Sequence, residues 1–134
     1  MSDPMAIQHG GNHYKGMAIE PFEMSLANRY DGAIHSIVKY VARHAAKNGA
    51  EDLWKAHHIA DIRRVQIARW GTEKGQELIP MDRFVVENHI EPVDAEILRA
   101  THEWHLDPYI VNGEDYCTLI RRLLEQRIAT RYPT

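Results

Sequence analysis

Asp31-Gly32-Ala33-Ile34-His35-Ser36-Ile37-Val38-Lys39-Tyr40-Val41-Ala42-Arg43-His44-Ala45-Ala46-Lys47-Asn48-Gly49-Ala50-Glu51-Asp52-Leu53-Trp54 contains one complete helical pattern and the start of a second. Ile34, Ile37, Val38, Val41 and Ala45 recur at i, i+3, i+4 and i+7, the spacing of one helix face. Asp31 precedes them as an N-cap. Asn48-Gly49 stops the pattern, because both residues tolerate the left-handed conformation that ends many helices. A second run follows at once, Glu51 to about Trp70, with Leu53, Ala56, Ile59, Ala60 and Ile67 on one side and Gly71 behind it. So short a break makes the two helices, about 31–48 and 51–70, antiparallel neighbours.

Upstream, Pro21 suits the first turn of a short helix reaching about Arg29. Residues 1–20 have no periodicity and read as a loop. Downstream, Thr72 to Pro80 is polar, contains glycine and reads as a hinge. Met81 to Ile90 is ambiguous between helix and strand. Asp94 is placed to cap a helix ending near His105, and Asn112 or Asp115 to cap a last amphipathic helix bearing Tyr116, Leu119, Ile120, Leu123, Leu124 and Ile128. The expectation is a mainly α fold. Residues 1–71 would form a core, and 72–134 a helical extension packed on it or forming a subunit interface.

The chain has 134 residues, 44% of them hydrophobic, and a formal charge of −3. That length fits one domain, and the charge gives no global attraction to DNA or anionic membrane, so any phosphate affinity must be local. One cysteine, Cys117, rules out an internal disulfide and fits a reducing compartment. No signal-peptide pattern or spanning apolar run occurs, so a soluble cytoplasmic protein is expected. Nine histidines are scattered without partner cysteines, and His102 with His105 is a weak zinc pair.

Three features bear on chemistry. His35, Lys39, Arg43 and Lys47 recur every four residues and form a basic stripe. Like charges at that spacing oppose the helix by roughly 0.2–0.5 kcal/mol per pair, so something should offset them. Either a polyanion such as nucleotide phosphate does so, or facing carboxylates from Glu51, Asp52 and Asp61. The second feature is His9-Gly10-Gly11-Asn12-His13-Tyr14-Lys15-Gly16, whose glycines allow close backbone approach and an anion nest, although no Walker A motif is present. The third is the junction Lys47 to His58. There Glu51 and Asp52 suit a helix N-terminus, Glu51 can pair with Lys55, and Asp52, Lys55 and His58 share one side.

Gly10-Gly11-Asn12-His13-Tyr14, Ile19-Glu20-Pro21, Ile37 to His44 and Lys47 to Ala56 together resemble a small phage family. Its members are often described only as a domain of unknown function, and its characterised branch is a deoxynucleoside monophosphate kinase of T7-like phages. The likeness covers about residues 8–70. It implies phosphate transfer from a nucleoside triphosphate to a deoxynucleoside monophosphate without a P-loop, in the cytoplasm of an infected host cell. Carried over, Lys39, Arg43 and His13 would be catalytic. Gly10, Gly11, Asn12, Tyr14, Lys15, His35, Lys47, Asn48, Asp52 and Lys55 would bind substrate. No metal ligand is assigned; Mg²⁺ stays open, with Glu51 and Asp52 as its acids. A site this charged on so small a chain suggests a homo-oligomer.

Two other classes compete. A MazG-like α-helical nucleoside triphosphate pyrophosphatase would gather Glu20, Glu23, Glu51 and Asp52 around Mg²⁺. A non-catalytic phage module would bind nucleotides or a host protein. Nucleic-acid binding is the weakest reading, since four cations on one helix fall short of a basic surface.

Overall fold

The computed structural model describes residues 16–109 and 115–134. They form six α-helices and no strand: α1 Pro21–Asn28, α2 Gly32–Arg43, α3 Ala50–Trp70, α4 Met81–Glu87, α5 Pro92–Leu106 and α6 Tyr116–Arg131. A 3₁₀ turn, His44–Ala46, follows α2. None of these helices is long and apolar enough to cross a membrane.

Capping accounts for the boundaries. Asp31 accepts from the Ile34 amide at 2.8 Å and starts α2. Asp115, rather than Asn112, does the same for α6, accepting from the Thr118 amide at 2.8 Å. Asn112 lies outside the described residues. Pro21 and Pro92 occupy first turns, where their missing N–H costs nothing. Arg29 ends α1 in the left-handed region, φ 55°.

Helix α2 packs on α3, α3 on α6, α6 on α5, and α5 back on α2, so these four close a bundle; α1 leans on α2 and α4 on α5. Ile34, Ile37, Val38 and Val41 of α2 meet Leu53, Ala56 and Ala60 of α3 in its interior. The two alanines on α3 let the α2 and α3 axes approach closely. Residues 72–134 supply half of this bundle, and Phe84, Ile97, Leu98, Ile120 and Leu124 are completely buried within the same core.

Two expectations need correcting. Asp94 does not cap α5: Glu91 holds that position, while Asp94 sits inside the first turn. There it accepts from Arg127 Nε at 2.9 Å and faces His44 Nε2 at 2.9 Å. His44 Nδ1 meets the Tyr132 hydroxyl at 2.7 Å, so one chain of polar contacts ties the end of α2 to α5 and α6. Nor does Thr72–Pro80 look like a free hinge. Buried Asn28 accepts from the amides of Leu78 (2.7 Å) and Ile79 (2.8 Å) and donates to the Ile79 carbonyl (2.9 Å). The Gly75 amide donates to the His105 carbonyl, the His105 ring donates to the Gln76 carbonyl, and His102 holds Glu77 at 2.6 Å. Side chains from α1 and α5 replace the regular backbone ladder the segment lacks.

Candidate functional site

The turn joining α2 to α3 sets the geometry. Gly49 sits at φ 58°, a conformation that favours glycine, and a Cβ there would press on the Tyr132 ring at 3.2 Å. Three residues on, Asp52 reaches back and accepts from the Asn48 amide at 3.3 Å and from its side-chain nitrogen at 3.4 Å. Asp52 is fully buried, and Arg43 Nη2 pairs with it at 3.3 Å. The carboxylate thereby ties the turn to the start of α3 and fixes the guanidinium at the end of α2.

Around this anchor lies Tyr40. Arg43 Cζ stands 4.7 Å from its ring centroid, Lys39 Nζ 4.8 Å and Lys55 Nζ 5.7 Å, all within cation–π range. Lys55 also pairs with Glu51 at 3.3 Å on the exposed face. Lys39 makes no ion pair with a described carboxylate. Beside Tyr40 a shallow groove of about 320 Å³ runs along α3 between Glu51, Trp54, Lys55, His58 and Ile59. Trp54 is half-exposed and packs edge-on against His57. The arrangement offers three cations and two flat rings, a combination suited to a phosphorylated aromatic ligand.

Of the sequence-predicted residues, Lys39, Arg43, Asn48, Asp52 and Lys55 are thus brought to one place. The stripe itself is shorter than its spacing suggested. His35 turns toward α1, with Nδ1 2.6 Å from the Ser25 hydroxyl and its ring edge-on to Phe22. Burial, and then the charge of Lys39, hold its pKa below the ordinary histidine value. Lys47 lies past the end of α2, exposed on a non-helical turn, because regular helix stops at Arg43. Glu51 and Asp52 are committed to Lys55 and to Arg43 with Asn48, whereas Asp61 goes to Arg64 and Arg121 instead of the stripe. Gly10, Gly11, Asn12, His13, Tyr14 and Lys15 lie outside the described residues.

Tyr40 was the residue that motif reading passed over. Its signal was available: it sits next to Lys39 and three before Arg43, a position that faces α3 once the helix pair closes. The two histidines weighed as zinc ligands are buried in other contacts. His102 bridges Tyr30 and Glu77, and His105 packs on Tyr30. Burial raises the Tyr30 pKa above the usual phenol range and lowers that of His105. No group of three or more His, Cys, Asp or Glu able to hold a metal occurs among the described residues.

Residues 8–61 match a family described as a protein of unknown function, DUF3310. The matched span runs from the glycine-bearing segment to the middle of α3 and includes the whole Tyr40 cluster. No curated protein and no solved structure matches the chain.

Proposed function

We propose that this protein is a nucleotide kinase that moves the γ-phosphoryl group of a nucleoside triphosphate onto a deoxynucleoside monophosphate. The observation carrying this reading is Tyr40 with Lys39, Arg43 and Lys55 around its ring, Lys39 lacking a described carboxylate partner. Three cations held this close repel one another. Arg43 and Lys55 have acids to offset that, and a bound phosphate would offset the rest. The resemblance of about residues 8–70 to a phage family that has a deoxynucleoside monophosphate kinase branch points the same way and brings the expectation of an infected host cell; a charged site on so small a chain adds that of a homo-oligomer.

Phosphoryl transfer needs placement and charge stabilisation rather than covalent chemistry by the protein. An oxygen of the acceptor monophosphate attacks the γ-phosphorus, the bond to the β,γ-bridging oxygen breaks, and that oxygen departs on the nucleoside diphosphate. Lys39 and Arg43 would hold transferring or acceptor oxygens, with Lys55 alongside and Tyr40 or Trp54 against the base. Asp52 would act as a positioning residue, since its contacts are with Arg43 and Asn48.

The acids nearby do not fit a resident metal, one being buried under Arg43 and the other paired with Lys55. Mg²⁺ would arrive as part of the triphosphate complex. The same fact weakens the pyrophosphatase reading, whose carboxylate cage does not assemble among the described residues. Incubation with a deoxynucleoside monophosphate and ATP, followed by separation of products, tests the proposal. Two diphosphates are expected. Monophosphate plus pyrophosphate would establish the pyrophosphatase, and tight binding without turnover the non-catalytic module.

A further inference from the structure

Arg63 lies on α3, eight residues beyond Lys55, or about 12 Å along the helix. It continues the buried face of Leu53, Ala56 and Ala60, which is an unusual place for a guanidinium. Its side chain is 4% exposed. Nε–H donates to Asp31 Oδ2 at 2.9 Å, and the plane lies 4.4 Å from the Trp104 ring centroid. Nη1 is buried without an acceptor, and Nη2 has none either among the described residues. Leaving Nη1 of a buried guanidinium without an acceptor is costly, and such groups in native proteins call for an explanation.

The space beside Arg63 supplies one. A cleft of about 770 Å³, within the range of small-molecule sites, runs between the end of α3 and the Gly71–Gln76 strap. Arg29, Lys74 and His105 join Arg63 along it, opposed by Asp31 and Glu73. Lys74 is mostly exposed and reaches Asp107 only at 3.8 Å, so it is available to a ligand. The strap is held in place by Gly75, where a Cβ would come within 2.3 Å of the His105 ring. Exposed Trp70 and Tyr109 stand at its rim.

We propose that this cleft is a second anion site, taking a phosphate group whose oxygens bind the Arg63 guanidinium, with Lys74 closing over it. A guanidinium with no acceptor on either terminal nitrogen is a strong charge-assisted donor to phosphate oxygens. The site sits at the opposite end of the α2–α3 pair from Tyr40. Asp31 and Arg43 are twelve residues apart on α2, about 18 Å, so one phosphate cannot serve both places. It is also built from residues beyond the span 8–61, apart from Arg29 and Asp31, and it stands or falls separately from the kinase reading.

Amide and tryptophan-indole NMR spectra of the full chain, recorded during titration with inorganic phosphate, pyrophosphate, a deoxynucleoside monophosphate and acetate, test it. Phosphate or pyrophosphate should shift the Thr72–Gln76 amides and the Trp70 indole below about 10 mM. Read at the Thr72–Gln76 amides, Arg63→Gln should weaken pyrophosphate binding at least about tenfold and Lys74→Ala about threefold, while Lys39→Ala leaves the shifts of those amides unchanged. Lys74 lies on the surface, so its variant stays informative if Arg63→Gln fails to fold. A nucleotide binding here more tightly than pyrophosphate identifies the carrier of the phosphate and supports the site. Four results overturn it: no shifts in 71–76, shifts unaltered by Lys74→Ala, loss on Lys39→Ala, or acetate binding as well as phosphate.

Discussion

Replacing Asp94 by alanine should be strongly destabilising. Its carboxylate accepts from Arg127 Nε at 2.9 Å and Nη2 at 3.4 Å and faces His44 Nε2 at 2.9 Å, with the residue 7% exposed. Without it, Arg127 retains only Glu91, which is itself exposed, and His44 loses one of its two partners. Removing one member of a buried pair typically costs about 3–5 kcal/mol, because the other charge remains buried and uncompensated. At about 2.1 cal/mol/K per residue, unfolding this chain carries an entropy near 0.28 kcal/mol/K, so the melting temperature should drop by about 11–18 °C. The control is Asp82→Ala. Asp82 pairs with Arg99 at 2.8 Å, but their side chains are 76% and 50% exposed, and the loss should stay within about 0.5 kcal/mol, or roughly 2 °C. Calorimetry on both variants decides. Equal shifts, or a drop below about 4 °C for Asp94→Ala, would refute the claim that this network holds the end of α2, where Arg43 is mounted, against α5 and α6.

Other consequences follow from the same contacts. Asn28→Ala strands two amides and a carbonyl of the strap and should cost about 3 kcal/mol, with amide exchange at Leu78 and Ile79 rising ahead of the rest. Gly75→Ala drives a methyl into the His105 ring, so the strap must shift and the melting temperature should fall; a value equal to that of the parent would contradict this close contact. His35 and His105 have pKa values lowered by burial, so the unfolded chain takes up protons first as pH falls through about 6.5, and stability should decline below that value. Burial raises the Cys117 pKa to about 11 and moves Tyr30 upward as well, so the unfolded chain loses protons first above about pH 9 and stability should decline there too. A flat melting temperature from pH 5 to 10.5 would contradict both assignments. Kinase activity, if dependent on Mg²⁺ only through the triphosphate, should vanish with excess chelator and return with Mg²⁺ in proportion to the complexed nucleotide.

The helix pair was legible because its signals are local. Asp31, the Ile34–Val41 spacing and Asn48-Gly49 act within a few residues of one another, and Asp115 was one of two caps, with Asn112, that announced α6. The strap was not legible, since nothing in Thr72–Pro80 says that Asn28 and His105, far away in the chain, will hold it. Asp94 misled for a related reason. An acid in a first helical turn looks like a cap, and only the arrival of Arg127 and His44 turns it into a buried anchor. The basic stripe was half legible: spacing put Lys39 and Arg43 together, but the helix end at Arg43 removed Lys47, and Ser25 with Phe22 drew His35 away. Arg63 belonged to an unremarkable Arg-Arg pair until the fold buried one of them.

The central claim is that the cations around Tyr40 grip nucleotide phosphate, and titration of a deoxynucleoside monophosphate into the parent and Lys39→Ala proteins by calorimetry tests it most directly. Lys39 has no described ion pair to lose, so the variant should melt within about 2 °C of the parent. Its affinity for the nucleotide should nevertheless fall about tenfold or more. A folded Lys39→Ala protein that binds as tightly as the parent would contradict the account.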